Sequence, residues 1–172
     1  MRRMPWIQRE FLFDLPASMF PNTLERIRGT PARVEDRVRM LGPDILVRRE
    51  GESWSIQENV GHLIEVEALF HGRLDDFAAG LGTLRAADME NRRTYAADYN
   101  RRPISGILSE FRAVRAHLVG RLETLDDGAI ERRAFHPRLK LPMRVIDMVL
   151  FVAEHDDHHL ARIGELIRTL RT

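Results

Sequence analysis

The sequence predicts an all-α protein whose helices form a four-helix bundle, and three observations support this class. Apolar residues recur at helical spacing in several long segments, Gly and Pro separate those segments, and no segment alternates in the manner of a strand. The chain has 172 residues, a length that suits one domain with a substantial core. We therefore expect residues 1–172 to form a single helical bundle domain.

The first helix is predicted from a Thr-Pro pair. Thr30 could cap a helix that has Pro31 in its first turn, where the missing N–H of proline costs no hydrogen bond. This helix is expected over residues 31–41, and Gly42-Pro43 would end it. Residues 22–28 are expected to form an earlier turn of the same helix, bent at Pro31.

The second helix has the clearest start. Ser55-Ile56-Gln57-Glu58 is a capping box, in which the Ser55 hydroxyl accepts from the backbone of Glu58 and the Glu58 carboxylate reaches back. The helix that follows is predicted to run to about Gly80.

Two further helices complete the predicted bundle. The third should run from about Pro103 to about Leu125 and the fourth from about Pro142 to about Leu170, each with apolar residues at helical spacing. The link between the second and third helices is far longer than a hairpin needs. It is long enough to cross the bundle, so two neighbouring helices can run parallel.

Composition excludes several kinds of site. The chain has no Cys, which excludes disulfides, thiolate metal sites and a Cys nucleophile. Its formal net charge is +1, and its Arg pairs alternate with acidic residues, which is typical of a solvated surface and not of a nucleic-acid interface. No apolar run is long enough for a membrane span or a signal peptide. We expect a cytoplasmic protein that binds neither nucleic acid nor membrane.

Three of the seven histidines lie within the stretch AEHDDHHLARI, residues 153–163. At about 100° per residue, His155 and His159 share the apolar side of the fourth helix, and His158 points to the polar side. Asp156 falls near the centre of the apolar stripe, where an unpaired carboxylate would be costly. Imidazoles at positions i and i+4 can bind one metal ion, but two hydrogen-bonded histidines at the core edge would show the same spacing.

Other histidines are less informative. His62 lies about one turn after the capping box, at the margin of the apolar arc. Glu67 and His71, four residues apart, are interpreted first as a buried hydrogen-bonded pair and second as groups that support a site or contact a substrate. His117 and His136 have no partner at a suggestive spacing, and we interpret both as ordinary structural residues.

Known metal motifs with fixed spacing do not fit. H-E-x-x-H is absent, and the paired Glu-x-x-His segments of di-iron bundles are absent as well. The doublet His155-Asp156 would suit a metal phosphohydrolase of the HD type, but no Asp follows Asp157 to complete that ligand set.

Three segments together resemble one known family. WSIQENVGHLIEVEALFHGRL (residues 54–74) and FVAEHDDHHLARIGEL (residues 151–166) resemble the second and last helices of the DinB/YfiT-like superfamily. RGTPARVEDRV (residues 28–38) resembles its first helix. The similarity covers most of the chain and is weakest between residues 80 and 102.

This resemblance implies a bundle with up-down-down-up topology and a divalent metal ion held by three histidines near one end. Carried over by position, these ligands are His62, His155 and His159. The resemblance also implies a homodimer. Some members are transferases or isomerases that use low-molecular-weight thiols, and some of those have Glu where this chain has His155.

Three neutral imidazoles would leave an open coordination position on Zn²⁺, Ni²⁺ or Fe²⁺. Such an ion can activate water for hydrolysis or bind an external thiol as thiolate. We therefore expect a metal-dependent enzyme acting on a small molecule, either a thiol-dependent transferase or a hydrolase. The alternative is a metal-binding stress-response protein without catalysis. Asp156, Glu65 and Glu67 are candidate acceptors for the second ring nitrogens of the ligands.

Overall fold

The computed structural model describes residues 3–170, which are mostly helical. Two short 3₁₀ helices, Trp6–Gln8 and Ala17–Met19, come first, and a third covers Tyr99–Arg101. The remaining elements in chain order are α1 Phe20–Arg28, α2 Thr30–Val38, α3 Pro43–Val47, α4 Ile56–Glu65, α5 Glu67–Ala78, α6 Arg92–Ala96, α7 Ile104–Glu123, α8 Asp127–Ile130, β1 Arg133–His136, β2 Leu141–Arg144 and α9 Val145–Leu170.

Four long helical units correspond to the four predicted helices. Two of them are interrupted once, so that α1 and α2 form one unit and α4 and α5 form another. The uninterrupted helices α7 and α9 each pack against all four of these pieces. Every unit therefore contributes residues to a shared interior, as in a helical bundle.

The first helical unit begins and breaks differently from the prediction. Thr30 is the first residue of α2 and not its cap, because Gly29 keeps helical torsion angles and lets the chain continue with only a slight break. The Thr30 hydroxyl points inward and donates to Oδ2 of Asp156 at 2.6 Å. The unit ends at Val38, and Pro43 starts the short helix α3 after the predicted stop.

The capping box that predicts the second helix is present. The Ser55 hydroxyl accepts from the backbone N–H of Glu58 at 3.1 Å, and Glu58 accepts from the backbone N–H of Ser55 at 2.8 Å. The predicted helix is interrupted only at Val66 and ends at Ala78. Gly80 follows with a φ of +68°, a conformation that glycine adopts without strain.

The prediction that the chain lacks strands was wrong, and so was the predicted start of the last helix. β1 and β2 form an antiparallel hairpin that contains Pro142, and α9 begins only at Val145. Asp147 fixes this start by accepting from the backbone N–H of Arg144 at 2.9 Å. Each strand has four residues, too few for an alternating pattern to stand out in the sequence.

The link between α5 and α7 docks against α4. Tyr99 packs on Gly61, where a Cβ atom would lie 2.2 Å from Cδ2 of the Tyr99 ring. The Gln57 side chain donates to the backbone carbonyls of Tyr99 and Arg102. Only glycine leaves room for this contact, so residue 61 fixes how closely the link approaches α4.

Buried apolar residues form two clusters, and α9 contributes to both. Its residues up to Ala153 belong to a cluster with Phe70 and Leu118, and its residues from Leu160 onward belong to a second cluster with Val34 and Leu63. The interval between them on α9 holds buried polar side chains instead of apolar ones.

A buried ion network lies at this interval. Arg115 of α7 donates to Oδ1 of Asp156 at 3.0 Å, to Oε1 of Glu67 at 2.7 Å and to the carbonyl of Ile27 at 2.9 Å. Burial alone would lower the pKa of Arg115, but Asp156 and Glu67 raise it above its ordinary value. Burial raises the pKa of Glu67 to about 7, although Arg115 opposes this. The central position of Asp156 on the apolar stripe is thus explained by a paired cation.

Within residues 3–170, no helix combines the length and apolarity that a membrane crossing requires.

Replacing Arg115 should destabilise the protein strongly, because the substitution Arg115→Met leaves two buried carboxylates without their cation. We expect the free energy of unfolding to fall by about 3–5 kcal/mol, measured by urea denaturation. Arg112→Met is the matched control on the same helix, since Arg112 is exposed and pairs with exposed Glu35, and it should cost about 1 kcal/mol or less. Equal losses in both variants would contradict the importance of the buried network.

Candidate metal centre

Three histidine side chains from two helices converge in the interior. His62 comes from α4, and His155 and His159 come from consecutive turns of α9. All three are buried, and one ring nitrogen from each lies within 4.8 Å of the others. The Nε2 atoms of His62 and His155 are 3.4 Å apart. Within residues 3–170 this is the one group of three or more His, Cys, Asp or Glu side chains close enough to share an ion.

His62 is oriented by the link between α5 and α7. Its Nδ1 lies 3.0 Å from Oγ1 of Thr94, a buried residue of α6. Tyr99 and Gly61 hold this link against α4, as described above. With Nδ1 engaged by the Thr94 hydroxyl, Nε2 faces the other two histidines.

His159 is oriented by the start of α4. The Asn59 amide group donates to the carbonyl of Ser55 at 2.7 Å, which directs its Oδ1 towards Nδ1 of His159 at 2.9 Å. Because an amide oxygen can only accept, Nδ1 of His159 must carry the proton. Its Nε2 is then left with a free lone pair, the form that a metal ligand requires.

His155 lies in an apolar setting. Its Nδ1 is buried and has no hydrogen-bond partner within residues 3–170. The Trp6 ring is 5.1 Å away and the Phe70 ring 6.3 Å, measured between centroids. One nitrogen of His155 therefore faces the cluster, and the other lacks the acceptor that usually accompanies a metal-bound imidazole.

The electrostatic setting keeps these rings neutral. Burial lowers the pKa of His62 to about 4. Burial, followed by the neighbouring imidazoles, lowers the pKa values of His155 and His159 well below 6.5. Neutral imidazoles near pH 7 are what a divalent cation needs. Tetrahedral ligands at about 2.0–2.1 Å from Zn²⁺ lie about 3.3 Å apart, so the Nε2 separation of His62 and His155 also suits such an ion.

The cluster opens into a cavity of about 660 Å³. Trp54 and Trp6 flank the histidines, with ring centroids 4.7 Å from His62 and 5.1 Å from His155, respectively. Such a volume accommodates a small organic molecule next to the imidazoles.

The predicted acceptors for the imidazoles have other partners. Asp156 and Glu67 bind Arg115, and Glu65 accepts from the Tyr99 hydroxyl at 2.7 Å and from Arg93 at 2.8 Å. Asn59 and Thr94 contact the histidines instead. Asn59 has a sequence signal, since it is a polar residue three positions before His62 on the same side of α4. Thr94 has none, because it lies in a link whose path the sequence does not show.

The remaining histidines lie outside the cluster. The prediction that Glu67 and His71 pair was wrong: His71 contacts Arg121, and its ring lies 4.6 Å from that of exposed His117. His158 is not part of the three-histidine group; it is half-buried at the cavity wall, with its ring centroid 5.5 Å from that of His159, and it contacts Arg3. His136 is buried at the end of β1 and lines the same cavity.

A helical bundle with an internal cluster of histidines that can hold a metal ion is the class defined by this fold and site. Residues 26–163 match the sequence model of the DinB superfamily, and the chain belongs to that family.

Two solved structures share the fold. YfiT from Bacillus subtilis, described as a probable metal-dependent hydrolase with an unusual four-helix bundle topology, superposes with a TM-score of 0.81 at 20% sequence identity, covering 94% of this chain and 93% of that one. A mycothiol-dependent maleylpyruvate isomerase superposes with a TM-score of 0.69 at 11% identity, covering 91% of this chain and 64% of that one. No curated protein sequence matches the chain significantly.

The lowered pKa values predict a pH-dependent stability for the metal-free protein. Below pH 6.5 the unfolded chain takes up protons on His62, His155 and His159 while the folded chain does not, so stability falls as pH falls. Between pH 7.5 and 5.5 we expect these three groups to remove up to about 4 kcal/mol, measured by urea denaturation.

Two variants test which histidines cause this dependence of stability on pH. His159→Gln removes one of the three groups and should reduce the measured loss by up to about 1.4 kcal/mol. His117→Gln, at an exposed residue outside the cluster, should reduce the loss less than His159→Gln does. A stability independent of pH in the unsubstituted protein would contradict the prediction.

Proposed function

We propose that this protein binds a divalent metal ion, Zn²⁺, Ni²⁺ or Fe²⁺, through His62, His155 and His159, and that it is a metal-dependent enzyme acting on a small molecule. The convergence of three buried, neutral imidazoles at the wall of a large cavity carries the proposal. An ion held by three imidazoles supplies an open coordination position, where it lowers the pKa of water or of a thiol.

The protein's own groups prepare the site for such an ion. Asn59 holds His159 in the tautomer that leaves Nε2 free, and Thr94 engages the far nitrogen of His62. Fixing ligand orientation in this way raises metal affinity, since the rings need not be ordered on binding. Trp6 and Trp54 exclude water from two sides of the cluster, which strengthens electrostatic interactions inside the cavity.

The reaction class we favour is hydrolysis or thiol-dependent group transfer. The description of YfiT as a probable metal-dependent hydrolase supports the first, and the mycothiol-dependent isomerase supports the second. The chain has no Cys, so a thiol would have to come from a low-molecular-weight compound in the cavity. A metal-binding stress-response protein without catalysis is the alternative, and the cavity beside the histidines favours an enzyme over it.

Several broader features belong to the same proposal. We infer one domain over residues 1–172, with up-down-down-up topology, a homodimeric state and a cytoplasmic location. We also infer that the protein does not bind nucleic acid. Three of the consecutive Arg pairs support this, because each of their six side chains forms an ion pair with an acidic residue: Arg48 with Asp44, Arg49 with Glu58, Arg92 with Glu90, Arg93 with Glu65, Arg101 with Asp98 and Arg102 with Glu110.

Metal content tests the ligand assignment. The purified protein should contain about one equivalent of divalent metal per chain by elemental analysis. His159→Ala should lose most of it, because two imidazoles bind far more weakly than three, whereas His117→Ala at an exposed position should keep it. Circular dichroism establishes that each variant is folded. Equal metal content in folded His159→Ala and in His117→Ala would refute the assignment.

A spectroscopic titration separates the enzyme from the non-catalytic alternative. The Co²⁺-substituted protein should show a changed visible spectrum on addition of a thiol such as 2-mercaptoethanol or of a small anion such as azide, because an open coordination position can accept them. Unchanged spectra at millimolar concentrations, about a thousandfold above a micromolar Kd, would mean a closed site and would favour the alternative.

A further inference from the structure

The residues that line the cavity include buried nitrogen atoms without a hydrogen-bond partner in the described part of the chain. Six buried polar side-chain atoms lack a partner within residues 3–170, and five of them belong to residues that line this cavity. One is Nδ1 of His155. The other four are Nε1 of Trp54, Nη1 of Arg73, Nε2 of His136 and Nη2 of Arg138. A buried donor without an acceptor costs free energy, which suggests that a ligand supplies the acceptors.

Arg73 and His136 are the most deeply buried of these residues, each with 1% of its surface exposed, and Arg73 carries a full charge. Two nitrogens of Arg73 donate only to the carbonyl of Arg85, at 3.3 Å each. The nearby carboxylate of Asp76 is engaged by the Arg85 backbone and guanidinium. Burial, followed by the charge of Arg138, lowers the pKa of Arg73 to about 10, so it stays charged at neutral pH without an ion-pair partner among the described residues.

His136, which also lines the cavity, carries an unpartnered proton. The backbone N–H of Leu139 donates to Nδ1 of His136 at 3.2 Å, so Nδ1 must be unprotonated. The proton of the neutral ring therefore lies on Nε2, the atom without a partner. Burial, followed by Arg73 and Arg138, lowers the pKa of His136 to about 4. Two positive charges are thus close enough to act on this ring.

Arg138 connects these donors to the histidine cluster. Its guanidinium carbon lies 5.9 Å from the Trp6 ring centroid and 5.6 Å from that of Phe151, and it has no ion pair within the described chain. Its charge contributes to the lowered pKa of His155. Arg138 therefore lies over two aromatic rings, one of which, Trp6, also contacts His155.

The acidic residues at the cavity wall do not balance these charges. Glu65 is engaged by Tyr99 and Arg93, and Asp88 accepts from the backbone N–H groups of residues 90 and 92. Glu52 is exposed, and no ion pair joins it to Arg73 or Arg138 within residues 3–170. The buried part of the cavity keeps an excess of positive charge.

We propose that Arg73, His136 and Arg138 form a carboxylate-binding subsite beside the three-histidine cluster, and that the ligand of this cavity is an organic carboxylate. A carboxylate offers two acceptor oxygens in the plane that a guanidinium fork matches. The aromatic rings of Trp6 and Phe151 next to Arg138 suit an organic body better than a fully hydrated inorganic anion. As a substrate subsite it rests on the proposed function, but binding of a carboxylate there needs no metal.

The test uses the metal-free full chain and two probes of equal shape. Hexanoate and hexanamide differ in charge but hardly in size, and calorimetry at pH 7.5 measures their affinities. The two tryptophans of the chain both line the cavity, so intrinsic fluorescence provides a second readout. We expect hexanoate to bind at least roughly tenfold more tightly than hexanamide, as a charge-assisted pair predicts.

Variants locate the binding. Arg138→Gln, at a half-buried position that should tolerate change, is expected to weaken hexanoate binding by roughly thirtyfold or more, and Arg73→Gln similarly if it folds. Arg162→Gln is the matched control, because Arg162 lines the same cavity but pairs with Glu50 and Glu165. Equal affinity for the acid and the amide, or equal losses in Arg138→Gln and Arg162→Gln, would overturn the proposal. Tighter binding of inorganic phosphate than of hexanoate would also overturn it.

Two further measurements distinguish a carboxylate on a thiol co-substrate from a carboxylate on a substrate without a thiol. Tighter binding of 3-mercaptopropionate than of hexanoate by the metal-loaded protein, with both weakened in Arg138→Gln, would assign the carboxylate to a thiol co-substrate. Equal binding of 3-mercaptopropionate and hexanoate by the metal-loaded protein would assign it to a substrate without a thiol. Metal content measured on the same samples distinguishes failure of the subsite from failure of the metal centre. Metal without carboxylate binding would refute only the subsite. Carboxylate binding without metal would refute only the metal centre.

Discussion

The buried guanidinium of Arg115 sets the geometry on which the rest of the molecule depends. It holds Asp156 of α9 and Glu67 of α5 from its place on α7, and it reaches the last turn of α1 through the carbonyl of Ile27. Since Asp156 must face Arg115, the rotation of α9 about its axis is fixed. His155 and His159 then leave the helix on the side adjacent to Asp156 and meet His62. The ion pair between Arg115 and Asp156 thus orients the two imidazoles of α9 without contacting them.

The two interruptions in the long helices make this network attainable. The break at Gly29 places Thr30 in the first turn of α2, where its hydroxyl donates to Asp156, and the break at Val66 makes Glu67 the first residue of α5. A carboxylate is favoured at a helix N-terminus, which offsets part of the cost of burying Glu67. The local departures from regular helix are therefore tied to the polar groups that the bundle has to bury.

Local signals predict the long helices and the shared face of His155 and His159, because a capping box and helical phase depend on nearby residues. The hairpin of β1 and β2 is too short to leave a periodic pattern, so the start of α9 was placed three residues early. Thr94, Arg73 and Arg138 reach the cavity only through the path of connecting segments and through tertiary packing. The spacing of these three residues along the chain does not indicate that they meet at one cavity. Asp156 is the intermediate case: its sequence position indicates a missing partner, but only packing identifies Arg115.

Trp6 and Arg3 bring the amino-terminal segment to the wall of the cavity, beside His155 and His158. This has a practical consequence for producing the protein. A polyhistidine purification tag fused to that end would carry extra imidazoles to the mouth of the cavity and compete with the internal cluster for added ions. A tag fused after the end of α9 starts roughly 16 Å along the helix axis from His159, at 1.5 Å per residue. Preparations bearing the two kinds of tag are therefore not equivalent samples for metal chemistry.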